Sequence, residues 1–288
     1  MTRVNSAPYS IYLREHQNSV NAKKPKQDFI PLVKKEEEPT KTLTLVDFLK
    51  LQNEQFKKWA DECIESIYPN SMKQIKYNIH KAMTSLKRYH TENDLQYWGE
   101  IVSENHKKSN LPPELLIALI SRETGFRKHI GGSSGNGPMQ ITSITAQDMF
   151  SNSNGGRLAL YEKLDKAMMD EILYKEDEEG NLVPRFRNYK ELHAACAKDD
   201  DLGVKVGIMC FKMKYVHAVC DEIGCSFTDA IKGLLNGMIQ FTPEENKEII
   251  TKTLINYNSV FTKEYATAVM DSISSISGKD SLDLTLLK

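Results

Sequence analysis

Apolar residues recur at helical spacing along most of the chain. From Leu45 the series Phe48, Leu49, Phe56, Trp59, Ala60, Cys63, Ile64 and Ile67 keeps i, i+3, i+4 steps, which predicts helix. Thr44 with Asp47 forms a capping-box pattern at its start, and Pro69 with Asn70 ends it. Further helical stretches follow over about 71–90 and 93–107, the second carrying Leu95, Trp98 and Ile101. Ser109 or Asn110 can then cap, and Pro112 and Pro113 suit the first turn of LPPELLIALISRETGF, a strongly apolar helix ending near Gly125. Helices are also predicted over 201–219 and about 226–240, 243–257 and 262–276. The segment EILYKEDEEGNLVPRFR holds two short alternating runs around an acidic turn containing glycine, which predicts a β-hairpin at 171–188. The fold class read from this pattern is mainly α, with one small hairpin insertion.

Residues 1–43 break the pattern. They are polar and Lys-rich, interrupted by Pro8, Pro25, Pro31 and Pro39, with pure charge from Lys34 to Glu38. Such a segment buries too little apolar surface to offset its ordering entropy, so a disordered tail is expected. A tail that docks on a protein partner is the rarer alternative. The domain organisation expected is a tail at 1–43, a helical section at 44–94, a main domain at 95–277 and a short C-terminal tail at 278–288.

Composition narrows the function classes. With 40% hydrophobic and 27% charged residues in 288, the chain reads as an ordinary globular protein. A net charge of −1, with no basic stripe along the body, argues against a nucleic-acid partner. No apolar run reaches the roughly 18 residues that span a membrane, and the opening MTRVNSAPYSIYLREHQ lacks the apolar stretch of a signal peptide. The five cysteines include no CxxC pair and no zinc-type His spacing. Cys196, Cys210 and Cys220 read as small buried hydrophobes, and a Cys220–Cys225 bridge stays open. Neither metal nor cofactor is expected. The acidic runs at 176–179 and 199–201 lack calcium-loop spacing, and His193 and His217 lack a nucleophile partner.

The candidate chemistry centres on Glu123. Leu116, Leu119 and Ile120 share its face of the apolar helix, and burial of a carboxyl group raises its pKa toward what a general acid needs. The plainer reading is a half-exposed helix-end Glu paired with Arg122 or Arg127. GGSSGNGP follows, a glycine-rich loop without the strand and Lys of a phosphate cradle. It runs into Met139 and Gln140, whose amide offers both donor and acceptor to a sugar. In LINYNS, Tyr257 and Asn258 fall on the stripe of Ile250 and Leu254, delivering polar groups to an interior that must partner them. A core Tyr and a helix-end Asn would also account for them.

The series Ser121-Arg122-Glu123-Thr124-Gly125-Phe126, Gly137-Pro138-Met139-Gln140-Ile141, Tyr257-Asn258 and Tyr265-Ala266-Thr267-Ala268-Val269 resembles the four ordered motifs of soluble lytic transglycosylase domains. The segment 204–215, with Gly207, is similar to the family helix between the second and third motifs. The likeness covers roughly residues 95–275. Thr124 stands for the usual Ser, Pro138 for Leu, Ile255 for Ala, and Ser259-Val260 for a small pair. The resemblance implies a lysozyme-like fold acting on peptidoglycan glycan strands of bacterial or phage context. Glu123 would be the single acid/base, with no cofactor. Met139, Gln140, Tyr257, Asn258, Thr124 and Tyr265 would line or brace the substrate site, Tyr257 positioning or polarising Glu123. A goose-type lysozyme-like hydrolase and a non-catalytic glycan-binding or assembly protein are the alternatives. Without a signal peptide, such an enzyme would reach the wall by non-classical export, a phage particle or lysis-coupled release, and otherwise stay cytoplasmic.

Overall fold

Each helix starts or stops where its end groups find partners. A computed structural model describes residues 72–151, 156–258 and 262–278, all within one compact unit. The predicted tail at 1–43, the helix expected from Leu45 to Ile67 and residues 279–288 lie outside the described residues. The first helices are α1 (Met72–Ser85), α2 (Glu92–Ser109) and α3 (Pro113–Thr124). Thr91 and Asp94 form a reciprocal capping box on α2, Pro113 occupies the first turn of α3, and Gly125 ends α3 in the left-handed region at φ 57°. The Gly125 amide, reaching back to the carbonyls of Ile120 and Ser121, covers groups that a helix end leaves bare.

Four short helices then appear that the hydrophobic pattern did not predict: α4 (Ser143–Phe150), α5 (Leu158–Leu164), α6 (Lys166–Leu173) and α7 (Tyr189–Cys196). Each is too short to build a long apolar stripe, and side-chain caps start three of them: Thr142 on α4, Asp165 on α6 and Asn188 on α7. Between α6 and α7, β1 (Tyr174–Glu176) and β2 (Leu182–Pro184) pair antiparallel, with Lys175 opposite Val183. The hairpin is therefore shorter than 171–188, because Glu171 to Leu173 complete α6. In its acidic turn the Asp177 carboxylate accepts the amides of Glu179 (3.0 Å) and Asn181 (2.8 Å).

The remaining helices are α8 (Asp200–Ile223), α9 (Phe227–Leu235), α10 (Pro243–Tyr257) and α11 (Thr262–Ser277). α8 is 24 residues long and apolar nearly all round, as a helix enclosed by neighbours must be. It packs on α2, α5, α6, α7, α9 and α10. The contacts α3–α11, α11–α10, α10–α8, α8–α2 and α2–α3 close a ring of five helices. Inside it lie Trp98, Leu115, Leu116, Leu119, Ile208, Phe211, Leu254 and Val269, all with no exposed surface. α1 packs on both α2 and α3, and the expected boundary at 94/95 falls inside α2, so residues 72–94 pack with the main body. The described residues are thus mainly helical, with a small antiparallel hairpin.

Candidate active site

The loop between α3 and α4 is built from backbone latches. Trp98 on α2 donates its indole N–H to the Phe126 carbonyl (3.0 Å), and the Arg88 guanidinium bonds the Gly125 carbonyl. Lys128 pairs with Asp94 (2.8 Å) and lies over the Tyr97 ring (4.4 Å). Asp200, only 1% exposed, accepts the His129 amide (2.9 Å) and the Tyr97 hydroxyl (2.8 Å). A carboxylate buried this deeply is tolerated because donors satisfy it. Further on, Asn136 and Ile141 exchange both backbone hydrogen bonds, 2.9 and 2.7 Å. The Asn136 amide also donates to the His193 carbonyl (2.8 Å), while His193 Nε2 meets the Ile141 carbonyl at 2.9 Å. The glycine-rich connection is thereby held in one shape.

Its far end is seated on α8. Gly137 adopts φ 72°, and a Cβ there would stand 2.5 Å from the Cys196 carbonyl oxygen. Across the contact, a Cβ on Gly203 would meet Pro138 Cδ at 2.7 Å, and one on Gly207 would meet Met139 Cβ at 2.6 Å. Gly203 and Gly207, one turn apart, make a shallow trough in α8 that receives Pro138 and Met139. Pro138 thus has a matched seat.

Glu123 stands in the last turn of α3, half-buried, with Leu116, Leu119 and Ile120 of its face fully covered. Tyr265, on α11 and 3% exposed, donates its hydroxyl to Glu123 Oε1 at 2.5 Å. Among the described residues Glu123 forms no ion pair, so the plainer sequence reading, a surface pair with Arg122 or Arg127, does not describe it. Arg127 instead bonds the Thr124 carbonyl through Nε (3.0 Å). Burial pushes the Glu123 carboxyl above the ordinary carboxylate range, opposed by the Tyr265 hydrogen bond and then by the Arg122 charge. Burial likewise drives the Tyr265 hydroxyl far up, reinforced by the Glu123 charge, so it stays a donor.

The other expected site residues divide. Tyr257 donates its hydroxyl to the Met139 carbonyl (3.1 Å), bracing the loop rather than the carboxyl; positioning of Glu123 belongs to Tyr265. Thr124 is 4% exposed and its hydroxyl faces the Pro138 and Ile120 carbonyls, so it ties α3 to the loop and has no surface to offer a ligand. Met139 is 1% exposed, packed into the α8 trough beneath any substrate floor. Gln140 is half-buried at φ 51°, and its side-chain Nε2 donates to the Gly137 carbonyl (3.1 Å), which turns the amide oxygen to other donors. Asn258 ends α10, its amide reaching the Leu254 carbonyl at 3.2 Å.

Sequence reasoning missed three contributors. Cys210 lies close enough to Glu123 to feel its charge; burial pushes this thiol up to about 11, and the Glu123 and Asp148 carboxylates add to it. Asp200 and His193, the loop latches, stood in the sequence only as part of an acidic run without calcium-loop spacing and a histidine without a nucleophile partner. Chemically the cluster offers one proton donor of raised pKa, a tyrosine fixing its orientation, and a rigid loop. No group of three or more metal-ligating side chains exists among the described residues. No helix among them is long and apolar enough to cross a membrane. Comparison with known proteins finds no matching family, no matching curated protein and no matching solved structure.

Proposed function

We propose that the chain is a lysozyme-like lytic transglycosylase that cuts peptidoglycan glycan strands with Glu123 as its single acid/base. The observation that carries this reading is the Tyr265–Glu123 hydrogen bond, which joins the first and last of the four ordered motifs in one polar contact. Burial raises the proton affinity of the Glu123 carboxyl, the direction a general acid requires. In this reading Glu123 protonates the glycosidic oxygen between N-acetylmuramic acid and N-acetylglucosamine. The resulting carboxylate then takes the proton of the muramoyl C6 hydroxyl as its oxygen bonds C1, closing a 1,6-anhydro ring. Proton and leaving group balance without water. Gln140 and Asn258, half-exposed at the ends of their elements, supply hydrogen bonds to sugar substituents.

The alternative is hydrolysis, in which a second carboxylate activates water; Asp148, whose charge also reaches Cys210, is the candidate for that group. Digestion of purified sacculi separates the two: mass spectrometry of anhydro-ended products, lighter by one water, supports the transglycosylase. Reducing-end products lost in Asp148→Asn would move the assignment to a hydrolase. Glu123→Gln is expected to lower turnover by about two to four orders of magnitude. Undiminished digestion by that variant would end the role of Glu123, and no digestion by the native chain would leave a non-catalytic glycan binder.

A further inference from the structure

The face of α3 turned away from Glu123 borders a groove of about 350 Å³, walled by α1, α3 and α11. At 100° per residue, Ala118, Ser121 and Arg122 project away from Glu123, and all three line the groove. Alanines and serines of all three helices form much of its lining, with Lys81, Leu86, Arg122 and Ile276 beside them. The polar groups in it are more telling. Ser121 is only 8% exposed, yet its hydroxyl makes no hydrogen bond to any described residue. The hydroxyl still reaches water, and Ser121 lines the groove, so a ligand there would replace that water as its partner. Arg122 and Asp271 also line the groove, both exposed, and neither forms an ion pair with the other or with any described residue. Lys81, by contrast, is engaged, donating to the Ile276 carbonyl at 3.1 Å.

We propose that this groove binds a small zwitterion of amino-acid or dipeptide size, Arg122 taking its carboxylate, Asp271 its ammonium group and Ser121 a backbone polar atom. A simple anion would leave Asp271 facing like charge, and a simple cation would do the same to Arg122. A sugar would ask for an aromatic platform, and the three helical walls offer Ala82, Ala118 and Ala268 instead. A dipolar ligand satisfies both charges at once, through hydrogen bonds strengthened by charge. The site stands independently of the glycan-cleaving reading, but it is coupled to Glu123. The Arg122 charge lowers the proton affinity of Glu123, and a ligand carboxylate over Arg122 offsets that pull.

The test uses the full chain and the probe dialanine, in its L- and D-forms, followed by amide chemical shifts. Saturable shifts confined to α1, α3 and α11 are expected. N-acetylation of the probe should weaken binding about tenfold, and Asp271→Asn should weaken the free probe equally while leaving the acetylated one unaffected. C-terminal amidation and Arg122→Gln should form the same matched pair. Thermal unfolding of both surface variants checks that the fold is kept. Absence of saturable shifts, equal binding by both variants, or preferential occupancy of the groove by N-acetylglucosamine oligomers would each overturn the proposal. Wall digestion is not read here, so failure of either assignment leaves the other standing.

Discussion

Tyr265 and Glu123 are 142 positions apart in sequence, and their contact sets the proton affinity of the carboxyl from two directions. Burial raises it and the hydroxyl donor lowers it, so Tyr265→Phe removes the lowering part alone. The expected result is an alkaline limb of the kcat/KM profile displaced to higher pH, with a reduced rate from a less well-held carboxyl. A limb that stays put would separate Tyr265 from the reaction. Stability carries the same signature. Because the folded Glu123 holds its proton more tightly than the unfolded one, its contribution is complete below the unfolded pKa and is lost as pH rises through the folded pKa. Glu123→Gln has nothing to lose, so its melting-temperature advantage should grow with pH from about 4 upward. A constant difference in unfolding scans across that range would argue against a raised pKa. Glu123 was legible in the sequence as a lone charge on an apolar stripe. Tyr265 reached the site list only through resemblance, because a residue on its own helix face carries no mark of a partner so distant. Asp200 was illegible for a related reason: its role rests on the His129 amide, 71 positions away.

At the scale of elements, the seat of the loop on α8 makes the sharpest expectation. Ala is favoured over Gly inside a helix by about 1 kcal/mol, so propensity alone says Gly207→Ala stabilises. The added Cβ would stand 2.6 Å from Met139 Cβ, a closeness that side-chain rotation cannot relieve because that atom is fixed to the backbone. We expect a net loss of about 1–3 kcal/mol in urea unfolding, as overpacking usually costs; a gain would show that the loop is not seated there. Long helices were readable because α3, α8, α10 and α11 each repeat their apolar spacing over several turns. α4 to α7 were missed because two turns give the repeat too little length, and their caps, Thr142, Asp165 and Asn188, are residues common in any loop.

Across the whole molecule, α8 is also where charge is buried. Lys212, 4% exposed, pairs with Asp165 at 2.7 Å, and Asp165 in turn caps α6 through the Met168 amide. Removing one member of a buried pair strands the other, so Lys212→Ala should cost about 3 kcal/mol and loosen α6 together with α8. Lys166→Ala, which breaks the exposed pair with Asp170, should leave chemical unfolding unchanged. Equal effects of the two substitutions would mean that the interior pair is not dry. The closing of five helices into a ring was not legible at all, since periodicity tells which face of a helix is covered and never by which neighbour.

The trough of Gly203 and Gly207 ties two stretches of sequence into one heritable unit. Volume added on α8 must be given up at Pro138 or Met139, so a library randomised at both positions 139 and 207 should return folded clones in reciprocal pairs. Alanine at 207 would come back with glycine at 139, the one residue without the Cβ it would meet, each change suppressing the defect of the other. The loop that follows α3 and the central helix would then evolve together, and a graft of either one alone into another scaffold would lose its shape.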